Sequence, residues 1–336
     1  MTSSSHGFER ILVARGGAIG DFVLTLPMFQ VLRSAFPKAF IEVLGYPAIA
    51  SIGLVGGHAD RFSRIESPDM IALFNPDMDI PRAVCDYFAS FDLIISYIHD
   101  PGRVFQNQIA SISNARFLVA AARPPENALI HASQFFLLPL EEIGLSARTE
   151  EPRIRPRKAA PDVRSCGQQE VVESLAGLMG GFDQRGTNPL AKRGIACHPG
   201  SGSPAKNWPL DRWMSLLSWL IEEFSATPLV VGGEADAPQL SAIQARFPRG
   251  NLELVVNEPL PQLIQRLSPC EGFIGHDSGI THLAAACGIP TIALWGPTNP
   301  DVWRPLGRKV HLVQARNGLA NLDLNRVCSE VAGLFR

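Results

Sequence analysis

Short apolar runs that end in polar or glycine-bearing loops, each followed by an amphipathic stretch, recur along almost the whole chain. A run of four to six apolar residues fits a strand buried on both faces, and the stretch after it fits a crossover helix. The alternation therefore predicts an α/β fold with parallel sheets. In the first half, "ILVA", "IEVLG" and "FDLIISYI" read as strands, and "DFVLTLPMFQVLRSAF" reads as a helix that carries Pro27, tolerated with a kink. The second half repeats the pattern with "GIACHPG", "TPLVVGG", "LELVV", "GFIGHDSG" and "TIALWGP", separated by stretches such as "LDRWMSLLSWLIEEF". Between the halves, residues 147–165, "ARTEEPRIRPRKAAPDVRS", are dense in proline and charge and poor in large apolar side chains, which marks a boundary. The expected division is a first domain over 1–160, a second over 161–318 and a C-terminal helix over 319–336.

A chain of 336 residues is long enough for two cores of ordinary size. Its 30 Lys and Arg against 32 Asp and Glu leave a net charge of -2, which argues against a nucleic-acid partner. Any anion must then be met by local groups. The six cysteines stand singly, with no C-x-x-C pair, so neither a disulfide framework nor a zinc knuckle is expected, and they read as buried thiols. The N-terminus "MTSSSHGFER" lacks the apolar core of a signal peptide, and no stretch approaches the roughly 20 apolar residues of a membrane span. The expectation is a cytoplasmic protein.

In open parallel sheets, ligands bind beyond the carboxyl ends of the strands. The loops at those ends hold Gly16, Gly17, Gly20 and Asp21; Ser201, Ser203 and Lys206; Glu234; Asp277 and Ser278; Gly296 and Thr298. "GGAIGD" departs from the G-x-G-x-x-G dinucleotide spacing and lacks the lysine of a phosphate-binding P-loop. Asp21 is unsuited to a phosphate site. It reads either as a first-turn acid that favours the helix dipole, worth about 0.3–1 kcal/mol, or as a functional acid beside a ligand that the glycines let approach. In "HDSGITHLAAACG", Asp277 and Ser278 fall at a helix N-cap, Gly279 leaves backbone N–H groups accessible, and His282 follows Ser278 by one helical turn. That arrangement suits a diphosphate, while an ordinary cap with a buried histidine is the competing reading. Lys206, in a Ser- and Gly-rich loop, reads as a second anion-binding group or as a solvated lysine.

Taken together, "ILVARGGAIGDFVLTLPMFQVLRSAFP", "CHPGSGSPAKNWPLDRW", "LVVGGEAD" and "FIGHDSGITHLAAACGIPTIALWGPTNPDVWRPLG" resemble, in order and spacing, glycosyltransferase family 9, the ADP-heptose:lipopolysaccharide heptosyltransferases. The resemblance implies a GT-B fold, two Rossmann-like doubly wound domains facing across a cleft, with "NLDLNRVCSEVAGLF" as a C-terminal helix crossing back to the first domain. It implies an inverting, metal-independent transfer of a sugar, most simply heptose from ADP-heptose, to a lipopolysaccharide-core or related glycan acceptor, with peripheral membrane contact and no cofactor. By resemblance, Asp21 is the catalytic base. Lys206 contacts the donor phosphates, Glu234 binds the ribose, Asp277 lies at the donor site, and Ser278, Gly279, Ile280 and His282 hold the diphosphate, with Ser201 in the same donor-binding set. Gly16, Gly17, Gly20 and Arg103 are expected on the acceptor side. The segment "SYIHDPGRVFQNQ" departs from the family's acidic signature after the matching strand, so the acceptor side diverges. Arg61, Arg64, Arg103 and Arg123 read either as partners of an anionic acceptor or as solvated surface. Rival readings are the same fold with another nucleotide-sugar donor, a nucleotide-sugar 2-epimerase, or a binding protein that has lost transfer. A nicotinamide-dependent dehydrogenase ranks lower, because the glycine spacing is wrong for it.

Overall fold

The computed structural model describes residues 7–125, 127–146, 151–155, 193–248, 250–315 and 317–335. These fall into two compact units, residues 7–146 and residues 151–155 with 193–335. The helix-like piece "EVVESLAGLM" and most of the proline-rich boundary lie outside the described residues.

The first unit is a five-stranded sheet of β1 (Arg10–Ala14), β2 (Phe40–Gly45), β3 (Arg61–Arg64), β4 (Leu93–Ser96) and β5 (Arg116–Val119), in the order β3-β2-β1-β4-β5. Every pairing is parallel. Central β1 buries Ile11, Leu12, Val13 and Ala14 completely, which is why its sequence is an uninterrupted apolar run rather than an alternating one. The helix Ile19–Ala35 follows it and continues through Pro27, laying Phe22, Val23, Leu26 and Phe29 into the interior. Leu12, Leu44 and Ile94 of the sheet join Phe88 and Phe105 in one apolar cluster. Two tyrosines are held inside this unit, Tyr97 buried and Tyr87 half-buried. Tyr87 donates to Glu42 Oε1 (2.8 Å) and Tyr97 to the Phe136 carbonyl (2.5 Å), and burial pushes both phenols above their ordinary range.

The second unit holds β6 (Arg193–His198), β7 (Ala226–Gly232), β8 (Glu253–Val256), β9 (Gly272–His276), β10 (Thr291–Trp295) and β11 (Val310–Gln314), in the order β11-β10-β9-β6-β7-β8. Its pairings are also all parallel. Both orders are the doubly wound pattern, in which the winding reverses between the first and fourth strands of each unit. The reversal falls between β1 and β4, and again between β6 and β9. The helix Leu210–Glu222 places Trp213, Leu216, Leu217 and Leu220 in the core, where Trp208 meets Trp213 edge-on at 5.7 Å. The C-terminal helix Leu324–Leu334 contributes Val327 and Val331 to this second core, with Phe335 just after it. Its apolar stripe matches the helix Leu210–Glu222, and the chain leading into it is pinned by Trp208 Nε1 donating to the Leu322 carbonyl (3.0 Å).

Candidate functional site

At the reversal point of the first unit, the loop from β1 into the helix Ile19–Ala35 places Asp21 in the first helical turn. Its Oδ2 accepts from the Ala18 N–H (3.2 Å). Gly17 has a φ of +94°, and a Cβ there would sit 3.0 Å from Asp21 Oδ2, so only glycine lets the carboxylate occupy this position unstrained. Gly16 is half-buried and Gly17 exposed. Below the loop, Arg15 is 2% exposed. It donates from Nε to Thr25 Oγ1 (3.1 Å), from Nη2 to the Asp21 carbonyl (3.1 Å) and from Nη1 to the Ala122 carbonyl (2.8 Å). Its guanidinium also faces the rings of Phe136 (4.6 Å) and Tyr97 (5.2 Å). The turn that carries Asp21 is thereby tied to the loop after β5.

Arg103 is exposed and adopts the left-handed conformation (φ 55°) at the start of the helix Val104–Ile112. It lines a groove of about 520 Å³ beyond the ends of β4 and β5, with Ile98, His99, Val119 and Arg123. The other two candidate arginines are engaged elsewhere: Arg61 pairs with buried Glu42 (3.5 Å) and Arg64 with Glu66 (3.5 Å).

In the second unit, β6 ends at His198 and β9 at His276, side by side at the reversal point. Lys206 Nζ and Asp277 Oδ2 form an ion pair at 2.6 Å. Ser278 caps the helix Gly279–Ala286, with Oγ accepting from the Thr281 N–H (3.4 Å). Gly279 and Ile280 are half-buried in the first turn, and His282 is buried one turn further on. Ser201 Oγ holds its own loop, donating to the Ser203 carbonyl (2.7 Å) and accepting from the Ser203 N–H (3.2 Å). Glu234 stands on the short turn Glu234–Asp236 after β7 and is exposed. Lys206, Asp277, Ser278, Gly279, Ile280 and His282 thus gather at one sheet edge, with Ser201 in the adjoining loop and Glu234 on a neighbouring one.

Four site residues escape motif reading: Arg15, His198, Asp236 and His276. Three of them end a strand or directly follow one, in "ILVAR", "IACH" and "FIGH", and that position is the signal that could have found them. Asp236 is buried. Its Oδ2 accepts from the Gly233 N–H (2.8 Å) and lies 3.3 Å from His198 Nε2. A Cβ on Gly200 would fall 1.6 Å from Asp236 Oδ1, so this glycine is what admits the carboxylate. His276 Nε2 accepts from Trp208 N–H (2.9 Å) and Trp213 Nε1–H (3.2 Å), while Nδ1 faces the Gly200 carbonyl at 3.1 Å. These contacts fix a neutral ring with its hydrogen on Nδ1, and burial pushes its pKa down to about 4. A capped helix start beside a lysine at a sheet's reversal point is equipped to hold an anion. Among the described residues, no group of three or more His, Cys, Asp or Glu is placed to hold a metal ion, and no helix is long and apolar enough to cross a membrane.

Comparison with known proteins places this chain in a family. Residues 167–331 match the model of glycosyltransferase family 9 (heptosyltransferase). Lipooligosaccharide heptosyltransferase 2 of Haemophilus influenzae is 32% identical over 92% of this chain and 89% of its own length. Lipopolysaccharide heptosyltransferase 2 of Salmonella typhimurium is 29% identical over the same shares, 92% and 89%. Among solved structures, the E. coli ADP-heptose lps heptosyltransferase II superposes with a TM-score of 0.74 over 97% of this chain and 98% of that one, at 17% identity. That likeness shows the shared fold, the pair of Rossmann-like domains of the GT-B class. With a relative above 30% identity along nearly its full length, the chain belongs to glycosyltransferase family 9 and is a heptosyltransferase-type glycosyltransferase.

Proposed function

We propose that this enzyme transfers heptose from ADP-heptose to a lipopolysaccharide-core acceptor, with inversion at the anomeric carbon and without a metal ion. The observation that carries the donor half is the Lys206–Asp277 ion pair set against the Ser278-capped helix start. The ammonium and the helix N–H groups provide the positive charge that a leaving diphosphate needs. Donor and acceptor identities come from the relatives, whose names specify ADP-heptose and lipopolysaccharide or lipooligosaccharide. In the second unit, Ser201, Lys206, Asp277, Ser278, Gly279, Ile280 and His282 are assigned to the diphosphate side of the donor, and Glu234 to its ribose.

In the first unit, Asp21 is assigned as the base and the Gly16–Gly20 loop as its mount. The acceptor hydroxyl forms the new C–O bond as the bond from the anomeric carbon to the diphosphate oxygen breaks. The hydroxyl proton passes to the Asp21 carboxylate. Attack from the face opposite the leaving group inverts the centre. Arg103 and Arg123, lining the apolar-floored groove after β4 and β5, suit an acceptor with anionic groups beside its sugar. The acceptor is lipid-linked in this reading, and the enzyme works peripherally at the inner face of the inner membrane.

The donor assignment is tested with Lys206→Ala, which is expected to weaken ADP-heptose binding far more than adenosine binding. Equal loss for both ligands removes Lys206 from the phosphate site. Turnover is expected to survive excess EDTA; its abolition by chelator and return with Mg²⁺ or Mn²⁺ would refute a metal-free transfer.

A further inference from the structure

The donor assignment leaves the buried imidazole of His198 without a task. His198 is 4% exposed, with Nδ1 3.1 Å from Ser278 Oγ and Nε2 3.3 Å from Asp236 Oδ2. Burial resists ionisation of the Asp236 carboxyl, but the hydrogen bonds from His198 and the Gly233 N–H outweigh it and lower its pKa. An ionised carboxylate can only accept, so the His198 hydrogen facing it resides on Nε2. At the other end of the chain of contacts, Thr281 Oγ1 donates its one proton to the His276 carbonyl at 2.5 Å. Thr281 can therefore only accept across its 3.1 Å contact with Ser278 Oγ. Ser278 has one hydroxyl proton and two neighbours that can take it.

The protonation state of His198 decides between those neighbours. With His198 neutral, the Nδ1 lone pair can take the Ser278 proton, which leaves nothing to offer a ligand. With His198 protonated, Nδ1–H donates to Ser278 Oγ, and the Ser278 proton is left to Thr281 Oγ1 or, when a ligand is bound, to the stronger acceptor, a phosphate oxygen at the helix start. We infer that His198 is a positioning residue for the donor: it takes up a proton from solvent when the diphosphate binds, which turns the Ser278 hydroxyl toward a phosphate oxygen and places an imidazolium behind it. No covalent bond of the ligand changes in this step. The titratable groups around this end of the sheet are Asp236 and Glu234 on the turn after β7, Lys206 in the loop after β6, His276 and Asp277 at the end of β9, and His282 in the helix Gly279–Ala286. His276 is held neutral, Lys206 is in contact with Asp277 at 2.6 Å rather than with His198, and Glu234 is exposed. Asp236 is left as the full charge in contact with His198, at 3.3 Å.

This inference rests on the donor site proposed for the second unit. Its test is calorimetric titration of the whole protein with ADP-heptose in buffers of different ionisation enthalpy, across about pH 6 to 8, where histidine changes charge. Both phosphates of ADP-heptose are diesters, so the ligand itself takes up no proton in that range. The wild-type protein is expected to gain up to one proton per ligand bound, and its affinity to fall by up to about tenfold per pH unit as pH rises. His198→Gln is expected to bind with no proton gain and no such slope. Asp236→Asn, which keeps the ring's hydrogen-bond partner but not the charge, is expected to move the proton gain to lower pH, and it carries the test should His198→Gln fail to fold. Binding without proton gain in the wild type, or equal gain in wild type and His198→Gln, overturns the inference alone. Absence of ADP-heptose binding at every pH overturns the donor-site reading and the inference with it.

Discussion

At the scale of single residues, Asp21 shows how two readings of one side chain become separable. Its contact with the Ala18 N–H is what a first-turn acid makes, and such an acid contributes no more than about 1 kcal/mol of stability. Yet Arg15 spends one of its buried donors on the Asp21 carbonyl, and Gly17 gives up its side chain to make room for the carboxylate. Those are costs of holding a group in one place. Asp21→Asn keeps the shape and removes the basicity, so kcat is expected to fall about 10²–10⁴-fold with ADP-heptose affinity nearly unchanged. Turnover and melting temperature measured on the same preparation decide it: a less stable variant with near-normal turnover per folded molecule would leave Asp21 as a cap. The glycines and the acid were legible in "RGGAIGD". The role of Arg15 was not, because its partners lie up to 107 positions away, at Ala122.

At the scale of elements, strand ends decide what the site contains. The runs "IACH" and "FIGH" were legible as strands, and Ser278 as a cap, because apolar periodicity and capping chemistry are local. Which acid of "GGEAD" turns inward was not legible, since that depends on the backbone of the turn Glu234–Asp236, which exposes Glu234 and buries Asp236. The end of β9 carries a consequence for acid stability. Folded His276 stays neutral down to about pH 4, whereas the unfolded ring takes a proton below its ordinary value of about 6.5. Between those values the unfolded state binds the extra proton, so stability falls as pH drops through that window, by roughly 3 kcal/mol at about 1.4 kcal/mol per pKa unit. Denaturant unfolding at stepped pH is expected to show this decline together with proton uptake on unfolding. A ring carbon shift characteristic of imidazolium in the folded protein at about pH 5.5 would contradict it.

At the scale of the whole molecule, two α/β units with parallel sheets were legible in the alternation and in the change of composition at residues 147–165, whereas the strand orders within the sheets were not. That the helix Leu324–Leu334 feeds the second core was not legible, because an amphipathic helix states that it has an apolar stripe and not which core receives it. Two-unit chains need not unfold in one step. ADP-heptose at about 100 times its Kd is expected to raise the stability of the unit that binds it by roughly 2.7 kcal/mol, and scanning calorimetry is expected to show the gain in the transition of the second unit. Absence of any upward shift would count against the donor site there. Aromatic side chains make that assignment readable by light. All five tryptophans, Trp208, Trp213, Trp219, Trp295 and Trp303, lie in the second unit, and all three tyrosines, Tyr46, Tyr87 and Tyr97, lie in the first. Emission excited at the red edge of the absorption band therefore comes from one half of the chain only. Trp208, Trp213 and Trp295 are buried and begin in a blue-shifted environment. The protein carries its own fluorophore label on the second unit, with the phenols as a separate ultraviolet signal from the first.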